Sequence, residues 1–131
     1  MIQVAVGLLL NGKTILLCQR RASERYGLKW EFPGGKTEPG ESPETCLCRE
    51  LFEELSIHPY NASLFFRDQY TYPDSRAFDL FYYMVPSYCG TIINNVFEAY
   101  TWVPLEHLRE FDILEGNHNV INELIRRNAA S

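Results

Sequence analysis

The chain has 131 residues, enough for one domain with a real core, and 46% of them are apolar, which argues against intrinsic disorder. A net charge of -5 argues against an electrostatic footprint for duplex nucleic acid, and no apolar run reaches the length of a membrane span. A small phosphorylated ligand stays compatible with that charge, because bound divalent ions invert the local field. The expectation is a single domain over residues 1–131, cytoplasmic, with no membrane partner. Cys18, Cys46, Cys48 and Cys89 match no zinc spacing and read as reduced packing residues.

Residues 3–10 (QVAVGLLL) form a β-rich apolar run, Asn11-Gly12 is a hairpin signal, and residues 14–19 (TILLCQ) return as the second strand. Arg20 and Arg21 close that strand before a polar loop over 22–29, and taken alone each reads as surface charge. Trp30 reads as core or pocket rim. Gly34-Gly35 then opens a glycine-rich turn, where backbone can come close to a ligand. In Glu38-Pro39-Gly40-Glu41, Pro39 and Gly40 suit the two central positions of a type II turn.

A helix follows. Ser42 is its N-cap, Pro43 its first residue, and Glu44 suits the positive end of the dipole. Leu47, Leu51 and Leu55 make one apolar stripe, while Glu50, Glu53 and Glu54 share a different face. Like charges at that spacing each cost a few tenths of a kcal/mol. Two readings stand: a solvated face with Arg49 offsetting Glu53, or a carboxylate cluster of the kind that holds Mg²⁺ against substrate phosphates.

Residues 58–61 (HPYN) are expected to be a loop with His58 on the surface. Residues 62–72 and 77–85 read as two paired strands about a turn at Tyr72-Pro73-Asp74-Ser75. Residues 86–95 read as loop, 96–103 as the last strand and its lead-in, and 104–110 as a short helical turn. The closing helix is expected over 119–127, with Val120, Ile121, Leu124 and Ile125 as its apolar stripe. Asn117 just before it is placed as a helix cap would be.

The stretch Gly35, Glu41, Arg49-Glu50-Leu51, Glu53-Glu54, Ile57 resembles the signature box of the Nudix hydrolases. One position departs: Ser56 stands where the family usually has Gly, which puts the helix C-cap in question. The resemblance implies an α/β fold with a mixed β-sheet between α-helices, and hydrolysis within the phosphate chain of a nucleoside triphosphate or related diphosphate. It implies Mg²⁺, with Mn²⁺ as a substitute, held by Glu50, Glu53, Glu54 and a carbonyl from Gly34. Glu50 or Glu53 would take the proton of the attacking water, and Glu41 with Arg49 would brace the loop against the helix.

Outside the box, Arg20-Arg21-Ala22 and Glu31-Phe32-Pro33-Gly34-Gly35 resemble the MutT-type subgroup, which would make Arg21 and Phe32 base contacts. By the same likeness Asp74, otherwise a turn residue, would contribute to base recognition. Asn117 would present its amide to a purine edge. Glu98 is either an extra acid for the metal or a solvated loop residue. Together these imply a purine substrate, an oxidised guanine nucleotide such as 8-oxo-dGTP being the sharpest form, and a place in nucleotide-pool sanitisation and DNA repair. Alternatives are a CTP or dCTP pyrophosphohydrolase, an ADP-ribose or dinucleoside polyphosphate hydrolase, and a non-catalytic nucleotide sensor. The sequence specifies no oligomeric state.

Overall fold

In the computed structural model, which describes residues 1–130, strand β1 (Ile2–Asn11) lies at the centre of the sheet. It turns back into β2 (Thr14–Gln19) through Gly12-Lys13. Gly12, at φ +62, takes the first central position of that turn, so the tight pair lies one residue beyond Asn11-Gly12. The hairpin is paired only near its turn, at Leu10↔Ile15 and Asn11↔Thr14, and then splays. Past the splay β2 continues in antiparallel pairing with β3 (Trp30–Glu31), and β1 with β4 (Gly34–Lys36). Residues 30–36 therefore cross from one half of the sheet to the other. The Gly7 amide donates to the Pro33 carbonyl at 2.8 Å at the crossing.

Helix α1 (Pro43–Leu55) begins as its sequence predicts: the Ser42 hydroxyl accepts from the Thr45 amide at 3.2 Å, with Pro43 at the first position. Beyond it come β5 (His58–Tyr60), β6 (Ser63–Thr71) and β7 (Ala77–Val85). β7 pairs in parallel with β1 along eight positions and antiparallel with β6, so the sheet is mixed. β8 (Ser87–Cys89) and β9 (Ala99–Pro104) follow, then a 3₁₀ turn (Leu105–Glu110), a second (Glu115–Asn117) and α2 (His118–Ala130).

Alternation along the strands divides the core in two. Val6, Leu8, Ile15, Leu17, Leu80 and Tyr82 face Val120, Ile121 and Leu124 of α2. Ala5, Leu9, Leu16, Tyr83 and Val85 face Leu47, Leu51 and Leu55 of α1. Both apolar helix stripes expected from periodicity are thus turned to opposite faces of one sheet, which is the expected α/β sandwich.

The structure corrects three expectations. Residues 58–60 and 87–89, read as loop, form a small antiparallel ribbon, and His58 stacks on Phe52 with ring centroids 4.7 Å apart. Pro59 is tolerated there because a two-stranded ribbon has only edges. Gly34-Gly35 is strand β4 and not a turn. Cys18 and Cys46 are buried, but Cys48 and Cys89 are exposed; all four are free thiols. Among the described residues no helix is long and apolar enough to cross a membrane.

Candidate active site

The splay of the hairpin and the crossing segment 30–36 frame a cavity of about 410 Å³. One end is acidic, lined by Gly34, Gly35, Glu50, Glu53 and Glu54; the other is apolar, lined by Phe32, Tyr72, Phe78, Leu80 and Asn117.

The acidic end explains its two glycines. At Gly34, φ is +154 and a Cβ would lie 2.1 Å from the Ala5 carbonyl oxygen, so only glycine lets β4 lie against β1. At Gly35 a Cβ would lie 2.3 Å from the Glu50 carboxyl carbon. Gly35 is therefore the space into which Glu50 fits. The Gly34 amide donates to Glu54 Oε1 at 3.0 Å, tying helix to strand.

Charge at this end is unevenly compensated. Arg49 makes a two-pronged contact with Glu41, Nε to Oε2 and Nη2 to Oε1, both 2.8 Å. It also donates to the Lys36 carbonyl at 3.1 Å and to Glu50 at 2.9 Å. The Arg49 contact with Glu41, and after it the Glu38 amide, hold the Glu41 carboxyl down at about 2. Glu41 itself accepts from the Glu38 amide at 3.0 Å, and the Glu41 amide closes the turn onto the Glu38 carbonyl at 2.9 Å, with Gly40 at φ +78. The pair thus sits where a brace between turn and helix is expected.

Glu54 is different. Burial, then the charges of Glu50 and Glu31, push its carboxyl up to about 9, and its hydrogen-bond partner is a neutral amide. Burial also raises Glu50, against the opposing pull of Arg49. Glu53 is the most exposed of the three, with 55% of its side chain accessible, and only loosely meets Arg49 at 3.4 Å. Among the described residues no three acidic, His or Cys side chains converge into a ready-made cation cage. The three glutamates share one helix face, where Arg49 pairs with Glu50 at 2.9 Å and with Glu53 at 3.4 Å and leaves Glu54 without a cation. An all-oxygen set, with one buried carboxyl lacking a cation, fits a hard divalent ion.

At the apolar end Asn117 is buried at 6% exposure. Its Oδ1 accepts from the Phe32 amide at 3.3 Å and its Nδ2 donates to the Tyr82 hydroxyl at 2.9 Å. The side chain is therefore tied to β7 and the crossing segment, and it is not used as a cap on α2. One N–H and one acceptor lone pair stay free for a ligand. Tyr72 holds the same region, its hydroxyl accepting from the Gly116 amide at 3.0 Å.

Phe32 and Asn117 are brought together in the cavity wall; Arg21, Asp74 and Glu98 are not in it. Arg21 is exposed and donates from Nε to the Val96 carbonyl at 2.7 Å. Its neighbour Arg20 points into the cavity instead, since successive residues of an extended chain face opposite ways. Asp74 stays in its turn, accepting from the Arg76 amide at 3.0 Å and pairing with Arg25 and Arg76, which do line the cavity. Glu98 is exposed, its amide bonded to the Gln19 carbonyl at 2.9 Å.

Sequence reasoning passed over Arg20, Glu31, Tyr26 and Tyr72 as cavity residues. A signal existed for Arg20 and Glu31 only through strand pairing: Cys18↔Glu31 and Gln19↔Trp30 set them side by side.

The NUDIX domain family matches residues 1–124. The chain is similar to the 8-oxo-dGTP diphosphatase of Escherichia coli K12, 36% identical over 126 residues that cover 95% of this chain and 97% of that one. It is also similar to the CTP pyrophosphohydrolase of the same organism, 31% identical over 131 residues, with 99% and 96% covered. Among solved structures, the solution structure of the E. coli ORF135 protein superposes with a TM-score of 0.88 at 30% identity, over 99% of this chain and 92% of that one.

Proposed function

This chain belongs to the Nudix family, and we propose that it hydrolyses a nucleoside triphosphate to the monophosphate and pyrophosphate, preferring an oxidised guanine nucleotide such as 8-oxo-dGTP. The observation that carries the base assignment is Asn117, buried in the cavity wall and fixed through two hydrogen bonds, which leave one donor and one acceptor of its amide. A purine edge with a carbonyl beside an N–H is complementary to that pair. The likeness to an 8-oxo-dGTP diphosphatase along nearly the whole chain supports the same reading.

Nudix hydrolases generally need divalent metal ions, usually Mg²⁺. Here Glu50, Glu53 and Glu54, with the Gly34 carbonyl, would hold them, and Mn²⁺ satisfies the same oxygen ligands. Bound there, the ions neutralise the phosphate chain and acidify water. The chain's own residues do the rest. Gly35 leaves room for Glu50, Arg49 and Glu41 lock the preceding turn, and Gly34 anchors Glu54. Glu50 or Glu53 takes the proton of the attacking water. The apolar end, with Phe32 and Phe78, excludes water from the base. Arg21 and Asp74 act as supports for the cavity wall, through Val96 and through Arg25 and Arg76. Glu98 takes no part in this reading.

A second reading, a CTP pyrophosphohydrolase, is favoured by the relative of that name, which matches the chain from end to end. The test is pyrophosphate release from a nucleotide panel with Mg²⁺, wild type beside Glu53→Gln. Preferred turnover of 8-oxo-dGTP by the wild type alone supports the first reading. Preferred turnover of CTP or dCTP selects the second, and binding without turnover by either protein leaves a nucleotide sensor.

A further inference from the structure

Tyr82 stands behind Asn117, on β7, fully buried and outside the cavity wall. Its hydroxyl lies between two groups of the 3₁₀ turn before α2: it donates to the Gly116 carbonyl at 3.0 Å and accepts from Asn117 Nδ2 at 2.9 Å. Tyr72 holds the other side of Gly116, accepting from its amide at 3.0 Å. Gly116 makes room for that contact. A Cβ there would lie 2.6 Å from the Tyr72 oxygen, although the backbone is outside the left-handed region. Two phenols thus hold both backbone polar groups of the residue before Asn117, and only one of them reaches Asn117 itself.

The direction of these bonds follows from what each group can do. A carbonyl only accepts, so the single Tyr82 proton goes to Gly116. Toward Asn117 the Tyr82 oxygen is then an acceptor, and the amide atom facing it must be the nitrogen. The Phe32 amide, which only donates, requires the oxygen on the other side, at 3.3 Å. Two independent partners therefore select one of the two orientations that an Asn amide can take. At 2.9 against 3.3 Å, Tyr82 is the tighter of the two holds. The N–H and the Oδ1 lone pair left over stand in a fixed order. Guanine-type and adenine-type purines carry a carbonyl and an amino group at the same ring position, so one order suits the first and the reversed order the second.

Resting on the nucleotide reading above, we propose that Tyr82 is a positioning residue for base recognition: its hydroxyl, committed to the Gly116 carbonyl, locks the Asn117 amide in the orientation that separates 6-oxo from 6-amino purines. Tyr82 meets no substrate and takes no part in bond breaking. Its influence reaches the base through Asn117 alone.

The experiment measures kcat/KM at saturating Mg²⁺ for dGTP and 2-amino-dATP, which differ at the 6-position and in the N1 proton that goes with it. Wild type is expected to prefer dGTP about tenfold or more, and Tyr82→Phe to lose most of that preference through KM, with kcat on 8-oxo-dGTP changed far less. In an Asn117→Ala background, Tyr82→Phe should shift the ratio no further. Tyr72→Phe takes the other hydroxyl from Gly116; it should cost similar thermal stability while moving the ratio much less, which tells a merely structural loss apart. A preference kept by Tyr82→Phe but abolished by Asn117→Ala overturns the proposal and leaves the base assignment standing. So does an equal shift in Tyr72→Phe, or a further shift in the Asn117→Ala background. Where Tyr82→Phe does not fold, hydrogen exchange in the wild type decides. The Asn117 Nδ2 protons should exchange at least about tenfold more slowly than those of exposed Asn61, and equal rates overturn the proposal. If wild type shows no preference, or Asn117→Ala leaves the ratio untouched, the base assignment itself falls, and this proposal with it.

Discussion

The two ends of the cavity are built in opposite ways. The acidic end comes from one continuous stretch, residues 34–54, in which a strand, a turn and a helix are joined by short connections. The apolar end is gathered from β1, the crossing segment, β7, the turn at Tyr72 and the 3₁₀ turn before α2. The first concentrates charge of one sign; the second satisfies nearly every polar group it buries. Local chain geometry can hold like charges together at little entropic cost, because sequence neighbours need no long loop closed around them. Recognition surface has to be collected from afar, and stays in place through packing and fixed hydrogen bonds such as Asn117 to Tyr82.

If the acidic end carries the chemistry, its variants should lose rate whatever the base. Glu53→Gln is nearly isosteric and largely exposed, so the fold should survive. We expect kcat to fall on the order of 10³-fold on every nucleotide, within the range for loss of a proton acceptor. A loss confined to one nucleobase would break the division between the ends.

Glu54→Gln separates chemistry from stability. With its carboxyl pushed from 4.5 to about 9, the folded, metal-free chain holds a proton at Glu54 that the unfolded chain has released. The native state then binds more protons, so stability falls as pH rises between those two values. At pH 7 the loss is roughly 3 kcal/mol by linkage. The amide variant should be inactive yet melt higher than metal-free wild type at pH 8, with a flatter pH profile. Melting curves in a chelator, taken from pH 5 to 9, test this; parallel profiles would show that Glu54 carries no such burden.

The same contrast accounts for what was legible in the sequence. Ser42, Pro43, Pro39-Gly40 and the leucine stripe all announce themselves within a turn or two, and all hold. Strand alternation likewise located β1, β2, β6 and β7, and with α2 the two-sided core. The ribbon of β5 and β8 was hidden because three residues are too few to show alternation, and one of them is proline. Arg20 and Arg21 could not be told apart, since one residue of register decides which enters the cavity. Glu31 looked like part of a motif until the pairing with β2 set it beside Arg20.

Asn117→Ala sharpens the comparison from the apolar side. The substitution strips partners from the Phe32 amide and, in part, from the Tyr82 hydroxyl. Tyr82 keeps its bond to the Gly116 carbonyl at 3.0 Å, which limits the damage to the fold. A buried polar group left unpaired costs about 1–3 kcal/mol, so discrimination between purine and pyrimidine triphosphates should drop ten- to a hundredfold. The kcat on the best substrate should change far less. A uniform loss on every nucleotide would mean that Asn117 only supports the wall.

The smallest effect is expected at Ser56, just past the acidic stretch and the one departure from the Nudix signature. The residue ends α1 in the left-handed region at φ +59, where a side chain is strained by about 1 kcal/mol and glycine is not. Yet the serine is engaged. Its hydroxyl accepts from Asn95 Nδ2 at 3.0 Å, and the same Nδ2 donates to the Glu53 carbonyl at 3.1 Å. The Ile93 and Asn95 amides bond to the Leu55 and Glu54 carbonyls at 2.9 and 3.0 Å. Segment 93–95 therefore satisfies the helix end through backbone, and Ser56→Gly removes only one exposed side-chain bond. Relief of backbone strain should slightly exceed that loss, giving a gain between zero and about 1 kcal/mol in urea unfolding, with kcat unchanged. A loss beyond 1 kcal/mol would make the Ser56–Asn95 bond the true cap of α1. The acidic end would then depend on a contact 39 residues along the chain, and its local construction would no longer set it apart from the base end.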